Sequence, residues 1–216
     1  MIEIKGISYK GTRILVGNEK REITNLLIHE LVSAGFEEIS IPVIQLSSIF
    51  TDKVGAENNN LMYNFTDRGN RDLCLAPEYT AVIQELAKTT YKLRENVMLF
   101  YVQECFRGEK PQFGRYRQFT QFGVEILNPT EDALEELAIL AERMVWTCLP
   151  EDEAFTVEVN MDVTRGLDYY KESKGFEITI AELGSSKQVV GGGAYDGGIG
   201  FAIGLDRILS LTKENK

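Results

Sequence analysis

The chain has 216 residues, 44% of them hydrophobic, which fits a single domain over residues 1–216 whose core needs no disulfide. It carries 33 acidic and 23 basic residues, and a formal net charge of −10 argues against a broad cationic surface for nucleic acid. No apolar run approaches the roughly 18 residues that span a membrane, and the N-terminus lacks the apolar stretch of an export signal. Three isolated cysteines without metal-ligand spacing indicate reduced thiols, so we expect a cytoplasmic protein without membrane contact.

The first third of the chain predicts one helix and one interrupted strand. Asn18 is suited to cap a helix whose apolar residues recur at helical spacing up to Gly35. The following stretch, FEEISIPVIQL, alternates like a strand and is broken at Pro42. Because proline removes a ladder hydrogen bond, we expect this strand at a sheet edge or an interface. Residues 46–72 are predicted as loop and short helix.

The rest of the chain predicts strands joined largely as hairpins, with helices between them. A short strand ends near Ala76, a helix starts at about Pro77, and two long strands flank a loop at residues 108–115. A helix at residues 131–147, three further strands and a last helix at about residues 200–212 complete the pattern. About six strands and four helices without regular βαβ alternation indicate an α+β fold with a largely antiparallel sheet.

The segment FRGEKPQFGRYRQFTQFGVEI, residues 106–126, gathers four cations in an acidic chain: Arg107, Lys110, Arg115 and Arg117. Strand alternation directs Gln121 and Glu125 to one face, on either side of Gly123, where the missing side chain lets a ligand approach. Arginine can bind a phosphate and a buried carboxylate can bind a cationic group, so one face of this hairpin is a candidate ligand-binding surface. A solvated hairpin whose cations pair with acidic residues elsewhere fits the alternation equally well.

Two later stretches of sequence favour the interpretation of the hairpin as a ligand-binding surface. TRGLDYY places an arginine and an aspartate beside two tyrosines, and GGGAYDGGIGFAIGLDRILSL is glycine-rich and continues into an apolar segment with Arg207. Glycine-rich turns before helices often approach phosphates or nucleotides. No GK[ST] follows, so this is not a Walker A loop, and the spacing is not that of a dinucleotide-binding fingerprint.

These motifs together resemble those of class II aminoacyl-tRNA synthetases, and most closely those of the histidyl-tRNA synthetase family. FEEISIPVI is similar to motif 1, residues 106–126 to motif 2 and GFAIGLDRIL to motif 3, while RGLDYY and GGGAYDG resemble two histidine-specific signatures. The resemblance implies the fold of that class, an antiparallel sheet flanked by helices. It also implies a homodimer formed through the Pro42 strand, and ATP, Mg²⁺ and histidine or a similar amino acid as ligands.

The resemblance also assigns roles to matching residues. Arg107 and Arg165 would be catalytic, because both would act on charge at the α-phosphate. Arg107, Arg115 and Arg207 would hold the phosphates, and Glu109 the adenine amino group or a metal-linked water. The amino-acid site would comprise seven residues: Glu78, Thr80 and Gln121 at the amino group, Glu125 and Tyr170 at the imidazole, and Tyr169 and Tyr195 closing the pocket. Adenylate formation needs no covalent nucleophile, and no residue is assigned as a direct metal ligand.

Several positions depart from the family's pattern. The chain ends at Lys216, directly after motif 3, and residues 127–164 hold only one helix and one strand, so we expect that the anticodon-binding and insertion domains are absent. With the net charge of −10, this predicts at most weak tRNA binding. The family's arginine and glycine beside Glu78 are Ala76 and Tyr79 here, and the arginine of the second signature is Ala194. These changes leave the amino acid open.

Three functions therefore compete. The first is an enzyme that makes an aminoacyl-adenylate, with histidine favoured, and passes it to tRNA or another acceptor. The alternative is a non-catalytic histidine-sensing subunit resembling that of ATP phosphoribosyltransferase; such relatives tend to lose the arginine of RGLDYY, and Arg165 and Arg207 are present here. The third is an accessory module that keeps only the fold and binds no ATP.

Overall fold

The computed structural model describes residues 9–15, 17–51, 60–161, 163 and 170–212. Its α-helices are α1 (Glu19–Ser33), α2 (Ser48–Thr51), α3 (Thr80–Lys88), α4 (Leu134–Thr147) and α5 (Leu205–Ile208), with 3₁₀ segments at Ala181–Ser186 and Leu209–Leu211. The predicted first helix is confirmed, and Gly35 follows its end with a φ of 90°, which favours glycine. No helix in the described part of the chain is both long and apolar enough to cross a membrane.

The strands of the described ranges form two sheets. They are β1 (Glu37–Glu38), β2 (Ile44–Leu46), β3 (Tyr63–Thr66), β4 (Asp72–Leu75), β5 (Val97–Phe106), β6 (Gln118–Leu127), β7 (Val157–Asn160), β8 (Tyr170–Ile180), β9 (Gln188–Tyr195) and β10 (Gly198–Gly204). The large sheet has the order β1-β5-β6-β10-β9-β8-β7 and the small one β2-β4-β3. Only the β1–β5 pairing is parallel among those described, so the predicted α+β fold with a largely antiparallel sheet is confirmed.

The stretch around Pro42 divides between the two sheets. Glu37 and Glu38 pair with β5 at the edge of the large sheet, as the proline predicted for this strand. Pro42 itself is exposed and lies between strands, and Ile44–Leu46 then pairs with β4 in the small sheet. Strand β3, within the region predicted as loop and short helix, was missed because its four residues give too short a pattern.

Two boundaries differ from the sequence prediction. Residues 200–204, predicted as the start of the last helix, belong to strand β10, which pairs with β6 on one side and with β9 on the other. Helical structure begins only at Leu205. The helix predicted to start at about Pro77 begins at Thr80, where the carboxylate of Glu78 accepts hydrogen bonds from the first backbone amides.

The large sheet has an apolar core on each face. One core includes Phe122 and Val124 of β6, packed with residues of α1 and α4. The other includes Leu99 and Tyr101 of β5, packed with residues of α3 and the small sheet. The alternation predicted for β6 is therefore confirmed: Phe122 and Val124 face the first core, and the opposite face of the strand carries Gln121 and Glu125.

Candidate active site

A cavity of about 690 Å³ opens over the second face of the large sheet. Strands β6, β9 and β10 contribute to its floor, and its rim includes the hairpin loop, which we define as residues 107–117, and the residues just before α3. Seven predicted site residues line it together: Glu78, Thr80, Arg107, Glu109, Arg115, Gln121 and Arg207. The predicted residues Arg165 and Tyr169, and the side chain of Tyr170, lie outside what the structure describes.

One end of the cavity is cationic. Arg107 donates from Nε to the Pro77 carbonyl at 2.8 Å and lies over the Phe119 ring, 5.2 Å from its centroid. Arg207 donates from Nε to the Gly114 carbonyl at 2.8 Å and from Nη1 to the Gln188 carbonyl. These bonds orient both guanidinium groups before any ligand arrives, which lowers the cost of binding an anion.

Burial and repulsion between cations act together at this end of the cavity. The pKa of Arg207 is lowered to about 10, mainly by burial and also by the nearby charges of Arg115 and Arg107. Arg207 is still protonated at neutral pH, so the cavity holds several positive charges close together. The partly exposed Arg115 has one carboxylate near it, that of Glu109, at 3.9 Å. A polyanion entering here would relieve the repulsion.

A buried carboxyl, that of Glu125, lies behind Thr80 of the lining; the predicted residues Glu125 and Tyr195 do not themselves line the cavity. Glu125 is fully buried; it accepts a hydrogen bond from the Tyr195 hydroxyl at 2.7 Å and one from the Thr80 hydroxyl at 3.3 Å. The pKa of Glu125 is raised to about 8, mainly by burial and also by the charge of Glu78, despite these two bonds. Glu125 is therefore largely protonated at neutral pH.

A floor of small residues surrounds this carboxyl. Strand register places Gly200, Gly193 and Gly175 in one row across the sheet from Glu125, and Gly123, Ala202 and Gly191 in the next row. The glycine-rich run is thus strand, and not the phosphate-binding turn that its sequence suggested. Of these two rows, Gly191 and Ala202 line the cavity.

The prediction that a ligand approaches the sheet at Gly123 is not supported by the packing there. A Cβ atom on Gly123 would lie 2.0 Å from the ring of Tyr101, its direct neighbour on β5. The ring of Tyr101 therefore fills the space that the glycine leaves. Beside it, the Cys105 thiol bonds to Oε1 of Gln121 at 3.1 Å, which fixes the amide that lines the cavity.

Gly200 provides the space for the carboxyl of Glu125. A Cβ atom on Gly200 would lie 1.7 Å from Oε2 of Glu125. We expect Gly200→Ala to lower the free energy of unfolding by about 2–3 kcal/mol, because either the carboxyl or a strand must move. Urea denaturation measures this loss. Gly204→Ala on the same strand is the control, because its Cβ would meet only ordinary contacts at 3.7 Å; equal losses in the two variants would contradict the steric explanation.

The departures from the family's pattern lie off the cavity lining. Tyr79 is buried, packs its ring on Tyr101 at 5.4 Å between centroids and donates its hydroxyl to the Glu104 carbonyl at 2.9 Å. Ala76 is buried in the same core. Ala194 faces the opposite core, on the other side of β9 from Tyr195. None of these three residues therefore lines the cavity.

Some cavity residues were not predicted from the sequence. Tyr116, Gln188 and Asp206 line the cavity, as does Lys110, which the sequence left without a role. Arg117, also left without a role, donates from Nε to the Glu109 carbonyl at 3.0 Å and so braces the hairpin loop. The LDR triplet of motif 3 was the available signal for Asp206, whose partner Arg13 is 193 residues away.

No cluster of three histidine, cysteine or acidic side chains that could hold a metal ion occurs among the described residues. Magnesium commonly binds through one or two carboxylates together with substrate phosphates. Glu109 fits that role, since its carboxylate is partly exposed at the cationic end. Asp206 does not, because its carboxylate is paired with Arg13 at 2.6 Å.

Known proteins are similar to this chain in sequence and in fold. The histidyl-tRNA synthetase family matches the chain over residues 17–144. Histidine–tRNA ligase of Methanosphaerula palustris is 28% identical in an alignment of 307 positions, which covers 95% of this chain and 75% of that protein. Because 307 positions exceed the 216 residues of this chain, the relative has additional residues within the aligned region.

Two solved structures show the same fold. Apo histidyl-tRNA synthetase of S. aureus has a TM-score of 0.72 at 24% identity and covers 98% of this chain and 70% of its own. An ATP phosphoribosyltransferase regulatory subunit/histidyl-tRNA synthetase from Bacillus halodurans has a TM-score of 0.71 at 15% identity, with coverage of 99% and 85%. The fold is thus that of a class II aminoacyl-tRNA synthetase core. The sequence match over more than half of its length shows that the chain belongs to the histidyl-tRNA synthetase family.

Proposed function

We propose that this protein activates an amino acid, with histidine as the favoured substrate, to its aminoacyl-adenylate at the expense of ATP. One observation carries the proposal: a single cavity has oriented arginines at one end, and at Thr80 of its lining it adjoins the buried, hydrogen-bonded carboxyl of Glu125. A site that binds only phosphate does not require the buried carboxyl. A simple amino-acid receptor does not require the oriented arginines.

The cationic end suits the triphosphate of ATP. In the reaction a carboxylate oxygen of the amino acid attacks the α-phosphorus, the bond to the β-phosphate breaks, and pyrophosphate leaves. Arg107 is proposed to hold the α-phosphate and the attacking carboxylate together, while Arg115 and Arg207 hold the outer phosphates. Guanidinium groups suit this work because their planar fork bonds two oxygens at once.

Magnesium is proposed to arrive with ATP and to lie near Glu109. When bound, it would neutralise charge on the phosphates. The chain's own contribution is to position the two reacting groups and stabilise developing negative charge, without a covalent intermediate. Arg165 is proposed to add a further positive charge at the α-phosphate, on the resemblance alone.

The buried carboxyl suits an imidazole. At neutral pH the largely protonated Glu125 can donate a hydrogen bond to an unprotonated ring nitrogen, or transfer its proton and pair with the imidazolium. Tyr195 and Thr80 hold the carboxyl in place, and Glu78 and Gln121 are proposed to receive the amino group. Tyr169 and Tyr170 are proposed to complete this pocket.

Amino-acid-dependent exchange of pyrophosphate into ATP tests the proposal. Each of the twenty amino acids is incubated with the protein, ATP, Mg²⁺ and labelled pyrophosphate. We expect exchange with histidine, dependent on Mg²⁺. Absence of exchange with every amino acid would overturn the activity.

The second candidate is a histidine-sensing subunit, favoured by the structural likeness to the Bacillus halodurans protein. Such a subunit needs the carboxyl end of the cavity but not the oriented arginines. Titration calorimetry separates the two functions. Histidine binding that ATP leaves unchanged, together with a phosphoribosyltransferase that co-purifies, would support the sensor; tighter histidine binding in the presence of an unreactive ATP analogue would support the enzyme.

The acceptor and the compartment are further proposals. The net charge of −10 supports at most weak tRNA binding, so a small molecule or a carrier protein is an equally suitable acceptor. The three cysteines are free and buried, which supports a reducing, cytoplasmic compartment.

A homodimer is proposed to form through the small sheet next to Pro42. Ile44, Leu46 and Phe65 are each at least 40% exposed and lie on one face of this sheet, where β2 and β3 flank β4. Apolar surface of this kind favours burial against a second copy. We expect twice the chain mass for the wild type by light scattering and the single chain mass for Leu46→Arg, because the new charge would be buried.

Leu93→Arg is the matched control for the dimer, because it makes the same substitution at a residue that is 95% exposed, outside this face. It should leave the mass doubled. A single chain mass for the wild type would contradict the dimer.

A further inference from the structure

The N-terminal strap, which we define as residues 9–15, packs on the hairpin loop. The Gly11 carbonyl accepts a hydrogen bond from the Arg117 amide at 2.6 Å, and the Lys10 carbonyl accepts one from Nη1 of Arg117 at 3.0 Å. Gly11 has a φ of 89°, and a Cβ atom there would lie 2.7 Å from Cγ of Pro111. The strap backbone therefore lies directly against the loop.

A nearly buried arginine extends from this strap. The side chain of Arg13 is only 4% exposed, and its Nη2 donates to Oδ1 of Asp206 at 2.6 Å and to the Asp206 carbonyl at 2.9 Å. Its guanidinium carbon lies 4.3 Å from the centroid of the Tyr116 ring, and Nη1 donates to the Tyr116 hydroxyl at 3.3 Å. Both partners of Arg13 line the cavity.

These contacts join three separate parts of the chain at the cationic end of the cavity. Tyr116 belongs to the hairpin loop, which also holds Arg115. Asp206 directly precedes Arg207, and its other carboxylate oxygen accepts a hydrogen bond from the Thr120 amide of β6. Arg207 in turn bonds the Gly114 carbonyl of the loop. Arg13 thus contacts the direct chain neighbours of both Arg115 and Arg207.

We propose that Arg13 is a positioning residue for the nucleotide: it holds the hairpin loop and the start of α5 at the separation that a triphosphate requires. The proposal rests on the proposed adenylate-forming function. Arg13 acts through Tyr116 and Asp206, and not by contact with the reacting atoms. The amino-acid end is held by a separate set of bonds among Glu125, Tyr195 and Thr80, so Arg13 should affect ATP and leave amino-acid affinity unchanged.

Steady-state kinetics of pyrophosphate exchange test whether Arg13 affects the KM for ATP and not the KM for the amino acid. Arg13→Gln removes the charge and the fork, and we expect the KM for ATP to rise about tenfold or more while the KM for the amino acid stays within about twofold. Arg13→Lys keeps a charge beside Asp206 but cannot also stack on Tyr116, and it should give a smaller rise in the KM for ATP. Arg21→Gln is the control, because Arg21 is exposed and bonds only Asn18 among its described hydrogen bonds.

Amide hydrogen exchange tests the network without any activity. In Arg13→Gln, and less in Arg13→Lys, we expect amides of residues 108–117 to exchange about tenfold faster or more, while those of α4 keep their wild-type rates. Loss of protection in both regions would show a merely structural residue and overturn the proposal. So would an ATP KM within twofold of wild type in both variants.

The two failures are distinguishable. If the wild type exchanges pyrophosphate with no amino acid, the proposed function fails, and hydrogen exchange alone then decides whether Arg13 holds the loop. If the wild type is active but both Arg13 variants keep an ATP KM within twofold of it, only the positioning role fails.

Discussion

Arg107→Gln is expected to lower the rate of amino-acid-dependent pyrophosphate exchange by about 10²- to 10³-fold while the protein stays folded. Arg107 is oriented by the Pro77 carbonyl and the Phe119 ring, and it faces the cavity from the end of β5. Glutamine keeps one donor but loses the charge and the fork, so negative charge that develops at the α-phosphate loses its partner. The effect should appear in kcat as well as in kcat/KM, because charge stabilisation is greater in the transition state than in the ground state.

Arg94→Gln provides the matched control for Arg107. Arg94 is exposed, its guanidinium lies over Tyr91 at 5.8 Å, and it does not line the cavity among the residues described. It should exchange pyrophosphate at the wild-type rate. A folded Arg107→Gln variant that retains more than about a fifth of wild-type activity would contradict the role of Arg107 at the phosphate.

Glu125→Gln is expected to stabilise the protein at alkaline pH and to remove its recognition of histidine. The pKa of this carboxyl is raised from 4.5 to about 8 in the folded chain, mainly by burial. Between these values the unfolded chain releases the proton and the folded chain keeps it, so the free energy of unfolding falls as the pH rises. Glutamine resembles the protonated carboxyl and does not ionise. The variant should gain about 3–5 kcal/mol over wild type at pH 9.

Urea denaturation across a pH series measures this gain. The stability difference between Glu125→Gln and wild type should be smallest near pH 4.5, grow up to about pH 8, and stay level above it. The same variant should show weak exchange with histidine, since an amide cannot pair with an imidazolium as a carboxylate does. A stability difference that is independent of pH would contradict the buried, protonated carboxyl.

Local sequence patterns predicted those helices and strands whose apolar residues repeat at the period of a helix or of a strand. The two-residue alternation of β6 assigned Gln121 and Glu125 to one face and Phe122 and Val124 to the other, because strand geometry leaves no alternative. Helix α1 was predicted for the same reason, from apolar residues at helical spacing between Asn18 and Gly35. The motif resemblance then brought together residues from β6, the hairpin loop and α5, which line one cavity.

Features that depend on distant partners could not be predicted. Segment 198–204 has an apolar pattern compatible with a helix, and only its pairing with β6 and β9 makes it a strand. The depth at which Glu125 is buried depends on Gly200 and Tyr195, far along the chain. Arg13 and Asp206 are 193 residues apart, and no local period relates them. Such contacts arise from the tertiary fold.

A single-turnover measurement with α-labelled ATP, Mg²⁺ and histidine determines whether this cavity forms an aminoacyl-adenylate. We expect close to one labelled histidyl-adenylate per chain for the wild type, and none within the same time for Arg107→Gln. A wild-type protein that binds ATP and histidine together and yet forms no labelled adenylate would contradict this expectation.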